Sequence, residues 1–473
     1  MARRRFPALL IASLILLSVL MVLWQPWLPR LKVGSVRINP KVSINAKKEY
    51  RIVVWDYELP LPWSKATYEE TLTQRAEAFR QQHPNIIVHV VLRPWNEGDG
   101  ALRDAVEQGE APDVVSMPGG VRLLSSDFQV PLEHYLGIDQ RDDLLPAARQ
   151  GATHKHLWAF PSLISPARWV IRLNDTLPNP LTALTWAQWT EALAENRTKT
   201  GGGGLAANVL DPAFFYELMI SATGQNLLGP DGTVQWTEES VQDAAEQLRT
   251  WVEKGLMPAD VETAARTRLA RFWDGKALGI APANPWLLHH ILERVGMLDS
   301  PQGSDPASTA STVASSRPLE KVQPSVSWIP PPQMAERLWV AATLSGYAVF
   351  RQGKYKGDDH TRAASLVAAY LSREMGSWTA ARTFSVPAHQ SSLESWLASS
   401  LLPEADMRLL LQWCASAVTP PVDDQLARLV TRVMTESVVP NLVAVLKGEM
   451  SASHFARELQ TTPIAAIAEI AVP

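Results

Sequence analysis

Aromatic and acidic side chains are the residues of this chain whose types point to the most specific chemistry. The 473-residue sequence holds 18 Trp, against 10 Phe and 8 Tyr. A Trp or Tyr ring packs against the apolar C–H face of a sugar, while Asp, Arg or Asn side chains bond its hydroxyl groups. Asp56 and Tyr57 follow a β-rich segment and are placed to face a ligand, whereas Trp55 before them is expected in the core. For any single Trp, ordinary core packing is the alternative.

Catalytic and metal-binding patterns are weak in comparison. His154 and His156 alternate as on one face of a strand and could hold a metal, but no third ligand is visible, so solvent exposure is favoured. Carboxylate pairs such as Asp142-Asp143 stand in polar segments, where a solvated surface explains them better than acid–base catalysis. The sequence contains neither His-Glu-x-x-His nor Gly-x-Ser-x-Gly. We therefore expect no enzymatic activity, no metal and no cofactor.

The overall composition excludes several further classes. Hydrophobic residues make up 46% and charged residues 19% of the chain, which is typical of globular proteins. The 44 Lys and Arg against 48 Asp and Glu give a net charge of -4, so we expect no nucleic-acid partner. The single cysteine, Cys414, excludes a disulfide framework and Cys-based metal sites.

The N-terminus predicts a membrane anchor. Arg3, Arg4 and Arg5 precede an uncharged stretch, residues 6–29, whose apolar run is long enough for the roughly 20 residues that a bilayer span needs. The bulky, proline-broken stretch 25–29 offers no small-x-small cleavage site, so an uncleaved anchor over residues 1–30 is favoured above a cleaved signal peptide. The basic residues that follow would not export the body by charge bias alone.

The body begins as a β-α-β-α-β unit. Residues 51–55, 86–92 and 113–116 read as strands, and residues 67–82 and 100–108 between them as helices. This order predicts a parallel sheet with right-handed crossovers. Ligands of such sheets bind beyond the carboxyl ends of the strands.

From about Tyr50 onwards, the order of short motifs resembles the extracellular solute-binding proteins of ABC importers, in the maltose-binding-like group. The resemblance rests on collinear segments at residues 79–86, 111–115, 156–161, 173–175, 185–189, 272–277, 284–286 and 344–349. It implies an α/β, two-lobed, type II periplasmic-binding-protein-like fold with a ligand cleft between the lobes, preceded by one transmembrane helix.

The resemblance also implies a division of the chain. Residues 31–49 are expected to form a linker, and residues 50–165 with 340–385 the first lobe. Residues 166–330 with 386–473 are expected to form the second, helix-rich lobe. Within it, residues 299–325 are rich in Ser, Pro and Thr and are predicted to be a flexible loop.

Several ligand-binding positions follow from the same resemblance. Trp286 matches a ring that stacks on the sugar, with packing between lobes as an equally good alternative. Asp211 and Phe214 belong to a segment resembling an acid-Pro-aromatic element, although Asp211 would also cap the helix that Pro212 begins. Arg168 and Trp339 lie near the predicted crossovers. Residues 117–120 lack the Trp and charges that relatives often carry there.

The resemblance implies a membrane-anchored, single-pass protein with its body on the extracytoplasmic side. It would capture a small solute, most simply a carbohydrate, and deliver it by hinge closure to the permease subunits of an ABC importer. Two alternatives stay open: a sensor ectodomain that presents its closed form to a signalling partner, and a degenerate binding fold with a structural role.

Overall fold

A computed structural model describes Ser18 and residues 31–33, 36–39, 41–59, 65–172, 183–201, 204–294, 326–334, 338–351, 353–399 and 402–461. The predicted anchor, apart from Ser18, lies outside the described residues. So do the Ser/Pro/Thr-rich stretch 299–325 and the segment 173–175.

Short strands and longer helices alternate along the chain. The strands are β1 (Leu31–Val33), β2 (Val36–Ile38), β3 (Tyr50–Tyr57), β4 (Ile86–Arg93), β5 (Val114–Met117), β6 (Thr153–His154), β7 (His156–Leu157), β8 (Phe160–Pro166), β9 (Trp169–Arg172), β10 (Leu205–Ala207), β11 (Gly279–Ala281), β12 (Val326–Ile329), β13 (Val340–Val349), β14 (Val386–Pro387) and β15 (Ala417–Val418).

The helices are α1 (Lys65–Gln82), α2 (Gly98–Glu107), α3 (Ile138–Asp142), α4 (Pro146–Gly151), α5 (Trp186–Thr200), α6 (Pro212–Thr223), α7 (Glu238–Glu253), α8 (Val261–Trp273), α9 (Pro285–Arg294), α10 (Asp358–Thr383), α11 (Leu393–Ser399), α12 (Glu404–Cys414), α13 (Asp424–Val433), α14 (Val439–Lys447) and α15 (Ala452–Thr461). A π-helical turn, Met434–Val438, joins α13 to α14.

Two sheets define two lobes. The first lobe has the strand order β14-β8-β13-β5-β3-β4, with β15 added beside the start of β13. The predicted parallel unit is confirmed, since β3 pairs in parallel with both β4 and β5. The second lobe has the order β10-β11-β9-β12, in which β10 and β11 are parallel.

Adjacent chain segments connect the lobes at residues 166–168, 338–341 and 415–423. Strand β8 ends in the first lobe at Pro166, and β9 begins in the second lobe at Trp169. The amide of Ala167 donates to the carbonyl of Ala341 at 2.7 Å, and β13 pairs with β15. The three crossing segments are therefore hydrogen-bonded side by side, as a hinge between the lobes requires.

The predicted lobe boundary at residue 385 differs from the observed packing. Strand β14 pairs with β8 of the first lobe, and α12 packs against both strands. The chain enters the second lobe only with α13. The helices on either side of residues 415–423 are both amphipathic, and an amphipathic pattern does not show which sheet a helix will cover.

The segment expected to be a linker is partly ordered against the first lobe. Strands β1 and β2 form an antiparallel hairpin, and Ile38 is 1% exposed in the first-lobe core. The side-chain amide of Asn85 donates to the carbonyls of Asn45 and Lys48. Ile38 and residues 45–48 thus pack on the lobe that follows them.

Among the described residues, the continuous stretch Asp424–Lys447 is long and apolar enough to cross a membrane by length and composition alone. Its apolar residues lie in the core of the second lobe: Val430, Val433, Met434, Val438, Leu442, Val445 and Leu446. A core helix of a folded domain has the same composition, and this one packs against α7 and α6.

Candidate ligand-binding cleft

The carboxyl ends of the parallel strands in both lobes lie beside the crossing segments. Strand β13 is antiparallel to both β5 and β8, so β8 runs in the same direction as β3, β4 and β5 and ends at the same edge. Strand β9 is antiparallel to β11, so its first residues lie beside the carboxyl end of β11. Because β8 leads to β9 within three residues, the two strand-end edges meet at the hinge. Ligands of α/β sheets bind beyond such ends.

Exposed apolar side chains mark both of these edges. Trp95 follows β4 and is 41% exposed, Trp286 follows β11 and is 51% exposed, and Leu210 follows β10 and is 42% exposed. Their position beyond the carboxyl ends of parallel strands makes them candidates for contact with a ligand. Trp95 was not among the predicted ligand-binding residues, although it lies just after a predicted strand, as Asp56 and Tyr57 do.

Trp286 is held in place by the start of its helix. Pro285 begins α9, and the side chain of Asn284 accepts a hydrogen bond from the amide of Leu287 at 2.9 Å. The indole ring stacks on His290 one turn later, with ring centroids 5.7 Å apart and an angle of 3° between the planes. The ring is therefore pre-oriented while half of its surface remains open to solvent.

Asp211 and Phe214 lie at the start of α6, where Asp211 precedes the helix and Phe214 is in its first turn. The Asp211 carboxylate accepts from the amide of Ala213 at 3.0 Å and caps the helix, as one of the two predicted roles requires. Phe214 is fully buried and stacks on Trp169 at 5.8 Å, so it belongs to the core of the second lobe. Of this pair, only Asp211 retains partial exposure at the strand-end edge.

Arg168 lies inside the hinge. It is 2% exposed and its guanidinium donates to the carbonyl of Phe384 in the first lobe. Burial lowers the pKa of Arg168 to about 10, which the charge of Glu217 on α6 partly offsets. Burial likewise raises the pKa of Glu217 well above its usual range, with the charge of Asp211 acting in the same direction. Arg168 therefore connects the two lobes inside the hinge.

Asp56 and Tyr57 are in the first-lobe core, and Asp56 does not face the cleft as predicted. Its carboxylate is 1% exposed and accepts from the hydroxyls of Tyr347 at 2.7 Å and Tyr68 at 3.1 Å. Burial raises the pKa of Asp56, against the effect of these hydrogen bonds. Tyr57 is 4% exposed. Trp55 instead is half-buried, beneath the guanidinium of Arg93.

Trp339 lies in the second crossing segment and lines a separate groove of 1440 Å³. Its half-buried ring covers Gly224, where φ is +70° and a Cβ atom would come within 2.6 Å of the indole. The groove lies between Gln150 on α4 and Arg428 on α13, with the third crossing segment along it.

This groove is distinct from the strand-end cleft. Its second-lobe wall includes Gly224, Gln225 and Asn226 at the carboxyl end of α6. Asp211 caps the other end of that 12-residue helix, which is about 18 Å long. Of the residues predicted to bind ligand, only Trp339 lines the groove. The structure thus separates Trp339 from Asp211 and Trp286.

Comparisons with known proteins agree with this architecture. Residues 65–286 match the family described as bacterial extracellular solute-binding protein. No curated protein matches the chain by sequence.

Several solved structures share the fold. The sugar-binding protein MalE of Xanthomonas citri is 16% identical, with a TM-score of 0.67 over 89% of this chain and 98% of that one. The cyclic alpha-maltosyl-1,6-maltose binding protein of Arthrobacter globiformis is 13% identical, with a TM-score of 0.64 over 89% and 100%. The GacH receptor of Streptomyces glaucescens, solved unliganded and with acarbose, is 18% identical, with a TM-score of 0.60 over 87% and 97%.

These matches confirm the predicted type II periplasmic-binding-protein-like fold. Residues 65–286 thus match the bacterial extracellular solute-binding proteins, and the two lobes joined by three crossing segments have the fold of the sugar-binding protein MalE.

Proposed function

We propose that this protein captures a small carbohydrate between its lobes and delivers it to the permease subunits of an ABC importer. The observation that carries the proposal is the half-exposed Trp286 ring beyond β11, with Trp95 exposed beyond β4 of the other lobe. Aromatic faces on two sides of a cleft suit the C–H faces of a sugar. Structures of the same fold include proteins described in complex with acarbose and with maltotriose.

Closure of the cleft would occur at the crossing segments. Each connection between the lobes is short, and the segments are hydrogen-bonded to one another, so rotation about them moves each lobe as a unit. A closed cleft would bury most of the ligand and place Asp211 beside it. The change of shape is then what the permease subunits detect.

In this proposal, residues 1–30 anchor the protein as a single span and the body lies on the extracytoplasmic side. The family match to extracellular proteins supports that side. No lipoprotein-type cysteine follows the apolar run. This supports a membrane-spanning helix, and not a lipid group attached to a cysteine, as the anchor.

The first test is a ligand screen on the detergent-solubilised full chain. Thermal unfolding and Trp fluorescence are followed with mono- and oligosaccharides, amino acids and peptides. A ligand that binds only the folded state adds about 2.7 kcal/mol at a hundredfold excess over Kd. We expect a saturable shift with one class of sugar.

Two variants then locate the site. We expect Trp286→Ala to weaken binding about tenfold to a hundredfold, because a stacked aromatic ring contributes roughly 1.5–3 kcal/mol when buried by its partner. Tyr355→Ala is the matched control: Tyr355 is 40% exposed but follows the far end of β13, away from the strand-end cleft. Equal affinity in wild type and Trp286→Ala would contradict the proposed site.

If no compound in the panel changes the unfolding temperature or the Trp fluorescence, the two alternatives are favoured: a structural role or a sensor ectodomain. The internal hydrogen bonds of Asp56 and the missing charges at residues 117–120 suit a degenerate fold with a structural role. A sensor ectodomain is separated from an importer component by co-purification from membranes, with a signalling kinase in the first case and permease subunits in the second.

A further inference from the structure

Three side chains converge outside the cleft, on the first lobe. They are Glu133, His134 and His156, and one ligand atom of each lies within 4.8 Å of the others. The Glu133 Oε1 atom is 2.6 Å from Nδ1 of His156 and 3.2 Å from Nε2 of His134. All three side chains are partly exposed, at 24–32%, so an ion has access from solvent.

The backbone fixes this cluster. Glu133 and His134 lie in a turn whose neighbour, Leu132, donates its amide to the carbonyl of Leu157 at 2.8 Å. His156 is in the tight hairpin of β6 and β7, where Lys155 has a positive φ of 61°. The other oxygen of Glu133, Oε2, accepts from the amide of Leu157 at 3.1 Å. The bond from the Leu157 amide to Oε2 thus orients the carboxylate so that Oε1 faces the two imidazoles.

We propose that Glu133, His134 and His156 bind a divalent transition-metal ion such as Zn²⁺. Two imidazole nitrogens and one carboxylate oxygen form a ligand set that suits this class of ion, with water in the fourth position. Around a tetrahedral zinc ion with bonds of about 2.0–2.1 Å, ligand atoms lie roughly 3.3 Å apart. The two imidazole nitrogens lie 2.6 and 3.2 Å from Oε1 and within 4.8 Å of each other, so rotation of the side chains about their bonds would bring the three atoms to this spacing.

The ion would lie between Oε1 and the two imidazole nitrogens, where neither of these nitrogens can carry a proton. Binding therefore uses neutral imidazoles and releases any proton that made either of them cationic. The amide of Leu157 keeps its bond to Oε2 and serves as the outer contact that orients the carboxylate. The ion would tie the turn at residues 133–134 to the β6–β7 hairpin.

The sequence showed His154 and His156 but no third ligand, because Glu133 and His134 lie more than twenty positions upstream. In the structure, His154 is not part of the cluster and lines the groove instead. This difference provides a matched control within one hairpin.

The test is Zn²⁺ titration of the full chain, purified without an oligohistidine tag, by isothermal calorimetry. Co²⁺ is used in parallel as an optical probe of the ligand field. We expect one equivalent to bind and the unfolding temperature to rise by a few degrees. His134→Ala and His156→Ala should each lower the affinity at least tenfold, whereas His154→Ala should bind as wild type does.

Glu133→Gln keeps the shape of the side chain and an acceptor for the Leu157 amide while removing the charge, so it separates loss of a ligand from loss of folding. It should also lower affinity, with unchanged circular dichroism in the absence of metal. An unchanged one-equivalent isotherm in His156→Ala, or the same loss in His154→Ala, would overturn the site. The absence of stoichiometric binding in wild type would do so as well. None of these outcomes depends on sugar binding.

Discussion

Two buried aspartates in the first lobe show how environment decides what a carboxylate does. Asp56 is surrounded by hydroxyl groups, and burial raises its pKa. Asp113 is equally buried, but it lies 2.8 Å from Nε2 of His360 and accepts from the amide of Val53 at 2.9 Å. Burial would raise the pKa of Asp113, yet the bonds and charges of His360, Val53 and Lys356 outweigh it and lower that pKa. Asp113 is therefore a stabilising anion that joins β3, β5 and α10.

We expect Asp113→Asn to lower the free energy of unfolding by about 3 kcal/mol at neutral pH, because it leaves His360 without its buried anion. The exposed Asp139→Asn is the control and should be nearly neutral. Urea denaturation at a series of pH values measures both.

The pH dependence of the free energy of unfolding provides a second test of Asp113→Asn. Since the folded pKa of Asp113 is lowered, its stabilisation is complete above the unfolded value of about 3.9 and is lost as the pH falls through the folded pKa. The difference between wild type and Asp113→Asn should thus shrink below about pH 4. A difference that stays constant down to pH 3 would show that the ion pair is not its source.

Trp286 and Asp56 show how far the local sequence predicts the environment of a single side chain. Trp286 follows a proline at a strand end, and its exposure fits the predicted ligand-facing position. Asp56 also ends a strand, but its acceptor positions are filled by Tyr68 and by Tyr347, 291 residues away in sequence. A pattern of neighbouring residues contains no information about partners so distant. For the same reason, the sequence pointed to only one of the three side chains of the proposed metal site, His156.

At the scale of elements, small residues allow helix α10 to pack closely against the first-lobe sheet. Gly376 faces β8 so closely that a Cβ atom would lie 2.4 Å from the carbonyl oxygen of Ser162. One turn earlier, the hydroxyl of Ser372 donates to the carbonyl of Pro161 at 2.6 Å. The helix is thus in direct contact with strand backbone.

We expect Gly376→Ala to destabilise the protein by about 3 kcal/mol, because α10 must move away from β8 to admit the methyl group. Gly100→Ala is the matched control at an exposed position of α2, where a Cβ meets nothing within 4 Å. It should stabilise by about 0.5–1 kcal/mol through helix propensity. Thermal or urea unfolding of the two variants should therefore shift in opposite directions; a stable Gly376→Ala protein would refute the close contact.

Elements with a strong local signal were predicted well. The helix expected at residues 67–82 begins at Lys65 and ends at Gln82, and the strand expected at 86–92 is Ile86–Arg93. Helix α7 begins directly after Thr237, whose side chain accepts from the amide of Ser240 and caps it. The lobe assignment of residues 386–414 could not be predicted in this way, because it depends on which sheet β14 joins.

At the scale of the whole molecule, the hinge is the feature with a measurable consequence. If a sugar closes the cleft, the two lobes approach and the molecule becomes more compact. We expect the radius of gyration from small-angle X-ray scattering to fall when the ligand identified by screening is added at saturation, and to stay constant with a sugar that gives no thermal shift. Binding without compaction would argue against delivery by closure.

The position of β13 in the sheet affects when the first lobe can fold during synthesis. This strand lies between β8 and β5, so its two neighbours leave the ribosome long before it does. At about 5–20 residues per second, the partners of this one sheet emerge over roughly 10 to 50 seconds. During that time β5 and β8 present unpaired edges, which invite aggregation. The sheet of the first lobe can therefore be completed only after residue 349 has been added, and until then aggregation through these two edges competes with folding.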